Sequence, residues 1–364
     1  MTLRSKVNSI CHHPSILKDL LQGKNAQEMR AKIRRLNEIQ AERKAKREAL
    51  KYISYLKKNS PYYIKNPNDK LRLNKLCCIE DWENSEIREV LSEFSELQKI
   101  SSSSSELFRK DWQLGLSISR IGQQFIHRKD WEWAMSVVAM CRLGKLNKNN
   151  TAIGVGCGKE VILFYLANKL NHIYATDLYT GNEDWKSFAP ADFPDNPKKY
   201  APFPYKEEAL TVLRMDGTNL EFPSESFDIA FSFSSIEHFG GENHSGALRS
   251  LREIERVLKP GGIATITTEY IINDKKHPDL ANQFFNRQTI YSDLIDKLDH
   301  LQLVEGPLDL RITTNTLDTV MDVQDAFNWD TNKFDDEYKK THPYILLRLR
   351  DILVTSVMLV FQKK

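Results

Sequence analysis

Residues 151–170 read TAIGVGCGKEVILFYLANKL, with Gly154, Gly156 and Gly158 at alternate positions between an apolar run and a helix-like segment. A glycine-rich turn between a strand and the next helix lets backbone approach a ligand closely. The helix start then offers unpaired N–H groups to a negative group. The stretch therefore predicts strand, ligand-holding turn and helix, and leaves open which ligand. A dinucleotide turn needs GxGxxG. Counted from Gly154 the third glycine falls on Lys159, and counted from Gly156 on Val161, so both frames fail. A phosphate loop ends in GK[ST], which GKE is not.

Downstream the rhythm stays strand–helix. HIYATDLY, LTVLRMDG, FDIAFSFS and IATITTEY read as strands, GALRSLREIERVL as a helix, KPGG as a turn and ILVTSVMLVFQ as a final strand. Repeated β-α-β units predict a doubly wound α/β domain, a parallel sheet with helices on both faces. Asp177 follows Gly156 by twenty-one residues, at the end of the second of these strands. A carboxylate there can accept both ribose hydroxyls of an adenosine group. Asp216, in RMDG at the end of the third, is placed to read an adenine amino group.

In this chain order GVGCG, ATDLY, RMDG, SFSSIEHF and VLKPGG resemble the class I S-adenosylmethionine-dependent methyltransferases, most closely their small-molecule branch. The resemblance covers roughly residues 130–270. It implies a Rossmann-like seven-stranded sheet, with residues 355–362 antiparallel beside the IATITTEY strand. It implies S-adenosyl-L-methionine as cofactor, held by Gly154, Gly156, Gly158, Glu160, Asp177, Leu178, Asp216, Gly217, Ser232 and Phe233. More loosely, LCCIEDWE, WEWAM, SSIEHFGG and TSVMLVF are similar to bacterial members that accompany surface-polysaccharide glycosyltransferases. Such enzymes commonly carry an acid two residues before the first essential glycine, where this chain has Gly154, and a third glycine where it has Glu160. Glu160 is therefore expected to take over the contact with the cofactor's ammonium. A plain first-turn helix acid is the alternative, since the helix dipole favours a carboxylate there.

His238, just beyond the fourth strand, is the expected general base, with Glu237 beside it; a structural histidine is the alternative. EHFGGENH gathers Glu237, His238, Glu242 and His244, but its glycines leave the spacing undiagnostic and no metal is expected. The polar, aromatic excursion over residues 178–209 is expected to form a lid on a polar ring-shaped acceptor, or else a satellite core. Residues 271–350 are expected to form another wall of the acceptor site. Arg128, Trp131 and Glu132 are expected near the methionine end, with Trp133 and Met135 as packing.

The 364 residues, 41% hydrophobic and 28% charged, describe an ordinary globular protein. Residues 1–105 are expected to be a helical N-terminal region, and 106–364 the methyltransferase domain with insertions at 178–209 and 271–350. Residues 15–58 read as a helix with a seam at Met29, Ile33, Leu36, Leu50, Ile53 and Leu56. Between residues 24 and 58 twelve Lys/Arg stand against four Asp/Glu, a local net of +8 in a chain of +3. Packing on the body, a homodimer through this helix, and an anionic partner all remain open. The seam is broken, and a second helix in SEIREVLSEFSELQKI leads to a surface loop at residues 101–105. Five cysteines without a CxxC pair point to reduced thiols in a cytoplasmic setting. The CHH at residues 11–13 is incidental. No signal peptide, membrane span or nucleic-acid partner is expected, the longest apolar run being about half a bilayer span.

The expected function is methyl transfer to an oxygen of a small molecule, sugar or glycan. A nitrogen or carbon acceptor, a nicotinamide-dependent oxidoreductase, and a non-catalytic interaction protein are the alternatives.

Overall fold

The computed structural model describes residues 26–59, 70–102, 125–181, 186–273, 283–330 and 333–364. The CHH triplet, Trp185 and the start of the N-terminal helical pattern lie outside these residues.

The glycine stretch behaves as expected. Strand β2 (Thr151–Val155) enters the turn and helix α4 (Val161–Ala167) leaves it. Parallel strands β3 (His172–Asp177), β4 (Leu210–Arg214), β5 (Phe227–Phe233) and β6 (Leu258–Ile271) complete the frame. The long strand β10 (Ile352–Lys363) lies antiparallel to β6, with Thr355 opposite Tyr270 and Gln362 opposite Ile263. The order β4-β3-β2-β5-β6-β10 is a doubly wound sheet with a reversed last strand. KPGG is not a separate turn: it bulges within β6, where the pairing with β5 slips between Phe227 and Ile229.

No single seventh strand covers the outer edge of β10. Three short ones tile it: β7 (Leu301–Leu303) against Phe361–Lys363, β1 (Lys75–Leu76) against Met358 and Val357, and β9 (Leu347–Leu349) against Ile352–Val354. β8 (Met321–Asp322) continues outward from β9.

Residue alternation in the strands builds a core on each face of the sheet. Ile229, Phe231 and Met358 join one core with helix α2 (Ser85–Ser102), helix α3 (Arg128–Arg142) and α4. Ala230, Val357 and Leu359 join the other with helix α5 (Ser245–Val257), whose Ala247, Leu251 and Ile254 form one apolar stripe. Leu71, Leu73, Ile87 and Phe94 belong to the first core and so pack on the sheet.

Helix α1 (Ala26–Asn59) packs its later half on the second core through Ala49 and Ile53, with Tyr52 and Leu56 alongside. Leu50, expected in that seam, is exposed, and Ala49 takes its place. Ser101 and Ser102 continue helix α2, correcting the loop expected from residue 101 onward.

Candidate active site

The site lies where β2, β3 and β5 end, the place where open parallel sheets bind ligands. Gly156 and Gly158 take positive φ values of 61° and 46°. A Cβ on Gly156 would stand 2.2 Å from Ser235 Oγ, and one on Gly158 2.5 Å from the Phe188 carbonyl. The Lys159 N–H donates to that carbonyl at 2.9 Å, so the excursion after β3 lies across the glycine turn. Asp177 ends β3, and its carboxylate accepts the Gly158 N–H at 2.9 Å and the Leu178 N–H at 2.7 Å. Burial pushes its pKa up, and these N–H groups hold it back.

A cleft of about 330 Å³ opens here. Gly156, Gly158, Glu160, Asp177, Leu178, Phe233 and His238 all line it, as expected from the sequence. Arg128 and Glu132 do so too, with the unanticipated Lys129, Glu269, His127 and Tyr344.

Helix α3 delivers a layer of charge to the cleft. His127 caps it, Nδ1 accepting the Lys129 N–H at 3.0 Å, and its ring stacks on Tyr344 at 4.3 Å. The Arg128 N–H donates to the Tyr344 carbonyl at 2.8 Å, which pins the helix start to the chain before β9. The Lys129 ammonium donates to Glu160 Oε1 and the Phe233 carbonyl, each at 3.0 Å, and pairs with Glu132 Oε2 at 3.0 Å. Burial works against this ammonium, but Glu132 and Glu160 outweigh it and raise its pKa. Glu160 Oε2 accepts the Trp133 indole N–H at 3.0 Å. Burial lifts the Glu160 pKa against the pull of Lys129. Arg128 pairs with Glu269. Behind Glu269 lies Glu237, 2% exposed, whose pKa burial and the Glu269 charge push up to about 8. Burial lowers the His238 pKa, opposed by Glu269.

Other expected residues stand elsewhere. Gly154 lies within β2, and a Cβ there would meet the Phe231 ring at 2.6 Å, so it serves strand packing and not the cleft. Gly217 is tight against Phe239 and Val155 from behind. Ser232 is buried on the face of β5 opposite to Phe231 and Phe233. Asp216 is exposed, its Oδ1 accepting from the Thr218 N–H and hydroxyl at 2.8 Å, and it does not line the cleft. Trp131 is buried, its indole donating to Asp81 at 2.8 Å, away from the cleft. His244 is a structural histidine: its Nδ1 meets Asp293 Oδ2 at 2.9 Å and its ring stacks on Phe285.

The aromatic excursion divides between the core and the cleft. Phe193 and Phe203 are buried against the α4 side, Phe193 edge-on to Phe164, while Phe188 stays exposed over the cleft. Of residues 271–350 only Tyr344, among the described residues, reaches the cleft.

The charge layer carries a stability prediction. Asp130, buried in the first turn of α3, has its pKa raised to about 7 by burial, which His127 only partly opposes. The folded chain holds this proton above the pH at which the unfolded chain loses it, at about 4. Stability is therefore fullest at or below about pH 4 and falls as pH rises toward 7. Asp130→Asn is expected to melt above the parent at about pH 8 and level with it near pH 4. Equal melting temperatures at the higher pH would contradict this.

Residues 153–266 match the family model described as a methyltransferase domain. No curated protein matches the chain. Three solved structures align over much of it, at TM-scores from 0.39 to 0.41. The complex of the Haloferax volcanii Trm112 methyltransferase activator with a putative methyltransferase is 16% identical, covering 75% of this chain and 97% of that one, at TM-score 0.39. A putative sarcosine dimethylglycine methyltransferase from Galdieria sulphuraria is 14% identical, covering 73% and 98%, at 0.40. Haemonchus contortus phosphoethanolamine N-methyltransferase 2, in complex with S-adenosyl-L-methionine, is 16% identical, covering 76% and 60%, at 0.41. No helix among the described residues is long and apolar enough to cross a membrane. The family match runs from within β2 to within β6 and takes in the glycine turn and the strand-end acid, so over residues 153–266 the chain carries a methyltransferase domain, whose methyl donor is S-adenosylmethionine.

Proposed function

We propose that the enzyme methylates an oxygen of a small-molecule, sugar or glycan acceptor, with His238 and Glu237 at the reacting end of the cleft. The observation that carries this is His238: it follows β5, lines the cleft, and is exposed to whatever enters it. Tyr344 and Phe188 border the same space, and Glu269 adds an acceptor for hydroxyls. Apolar faces with a few convergent polar groups suit a polar ring.

The residues fit the cofactor. Gly156 and Gly158 would admit its close approach, Asp177 and the Leu178 backbone would hold the ribose, and Phe233 and Glu160 would flank the methionine end. Bound, the cofactor supplies an activated methyl group on sulfonium. The chain orients the acceptor and keeps water out, and His238 accepts the proton that the hydroxyl loses as its oxygen takes the methyl group. Glu160 is held by Lys129 and the Trp133 indole, and the cofactor ammonium would be a further partner for its carboxylate. If Glu160→Gln leaves affinity for S-adenosylhomocysteine unchanged, Glu160 has no such role.

Incubating the enzyme and cofactor with candidate sugars and phenolics, and reading products heavier by one methyl group, tests the acceptor class; methylation only of amines would overturn it. His238→Ala is expected to lower kcat on the order of 10²-fold with S-adenosylhomocysteine binding retained. Unchanged turnover would remove His238 from the reaction. The earlier, exposed half of α1 is proposed to pair with a second copy. A monomer mass in sedimentation would end that proposal.

A further inference from the structure

At the acceptor end of the cleft two carboxylates face each other with too little positive charge between them. Glu269 has Arg128. Glu237 Oε1 accepts the Glu269 N–H at 3.1 Å, but its buried Oε2 makes no hydrogen bond of good geometry, having only the Thr268 hydroxyl near it. A buried acceptor left unmade costs about 1–3 kcal/mol, so such an atom calls for an account. One oxygen from each of Glu237 and Glu269 and one ring nitrogen of His238 lie within 4.8 Å of one another. Ligand atoms around an octahedral ion with bonds of about 2.1 Å sit roughly 3–4 Å apart, so closure needs only about an ångström of movement. His238 can supply it: its exposed side chain ends the short 3-10 turn Ile236–His238, followed by Gly240 and Gly241, both at positive φ.

Charge points the same way. Four carboxylates, Glu132, Glu160, Glu237 and Glu269, share this wall with two fixed cations, Arg128 and Lys129. Without buried Glu237 the carboxylates exceed the cations by one charge, and by two where Glu237 also ionises; the histidine adds none when neutral. Two carboxylates and one imidazole are a hard oxygen set with one borderline nitrogen, a choice that suits Mn²⁺ and similar first-row divalent ions. Arg128 then serves as an outer partner that orients Glu269.

We propose that Glu237, His238 and Glu269 form a divalent-cation site, filled by Mn²⁺ or an ion of like chemistry, with open positions toward the cleft for oxygens of the acceptor. This rests on the reading of the His238 end as the acceptor end. With the ion in place the imidazole lone pair is a ligand and no longer the base: the cation lowers the pKa of the acceptor hydroxyl, whose proton passes to solvent water before its oxygen takes the methyl group. Sequence spacing suggested Glu242 and His244 as companions of Glu237 and His238; the fold instead brings Glu269, from the neighbouring strand.

The test is calorimetric titration of the chelator-treated full chain with MnCl₂ alone, with the bound ion followed in parallel by loss of the free Mn²⁺ spin-resonance signal. One site per chain is expected. Glu237→Gln and His238→Ala should each weaken it by about tenfold or more. His238 is exposed, so its variant keeps the fold even where Glu237→Gln does not. Absence of saturable binding up to about 1 mM, weaker than the range of dedicated cation sites, overturns the proposal. So does binding indifferent to both substitutions. A melting shift with S-adenosylhomocysteine in the same preparations separates the two readings. If that shift persists while Mn²⁺ fails to bind, the cation site falls and the methyltransferase cleft stands.

Discussion

Asp177→Ala is expected to abolish most of the stabilisation that S-adenosylhomocysteine gives the chain. A ligand a hundredfold above its dissociation constant adds about 2.7 kcal/mol, read as a rise in melting temperature. The Asp177 carboxylate stands at the end of β3, lining the cleft, with the Gly158 and Leu178 N–H groups holding it in position. Ribose hydroxyls would find there two oxygens already oriented. The substitution also strips an acceptor from two backbone donors, so the unliganded protein should itself lose on the order of 1–3 kcal/mol. The decisive quantity is therefore the difference between liganded and unliganded melting, not either temperature alone. A shift retained in full in the variant would overturn the ribose assignment.

Asp81→Ala should be the most destabilising single change considered. Lys75 in β1 and Asp81 form an ion pair whose side chains are 5% and 2% exposed. Asp81 also accepts the Trp131 indole N–H at 2.8 Å and the Cys78 N–H at 3.2 Å. Removing the acid leaves a buried ammonium and two buried donors without partners. Breaking a buried pair from one side costs about 3–5 kcal/mol, whereas replacing both members with apolar groups is often neutral. Denaturant unfolding of Asp81→Ala should show that loss, and Lys75→Met with Asp81→Leu should recover most of it. A loss below about 1 kcal/mol in the single variant, as for an exposed pair, would mean that water reaches Lys75.

The frame of the fold was legible because its strands and helices are long enough to show their periods. Five parallel strands, helix α5 and the reversed last strand all follow from apolar runs and turn residues. The tiles on β10 were not legible: strands of two or three residues such as Lys75–Leu76 carry no period, and their place is set by the partner. Within the site, the glycine turn and Asp177 could be read from local spacing. Glu269 and Lys129 could not, because they reach the cleft through the packing of β6 and α3. The one acid in the strand ending TTEY was the available signal for Glu269. Gly154 has a constraint that local spacing could not show. It belongs to the alternating glycines by sequence, but the ring of Phe231 on β5 sets its size.

The tiling of β10 has a consequence for how the chain reaches its native state. The Val360 N–H donates to Asn74 Oδ1 across 286 residues, and β1 and β7 pair with that same strand. A chain emerging from its N-terminus therefore carries its β1 segment unpaired until β10 arrives. Contacts of such long separation are slow to form and expose unpaired edges while they wait. β10 is thus the keystone of assembly as well as the last strand of the sheet: the parallel frame can form ahead of it, but the far edge closes in one late step.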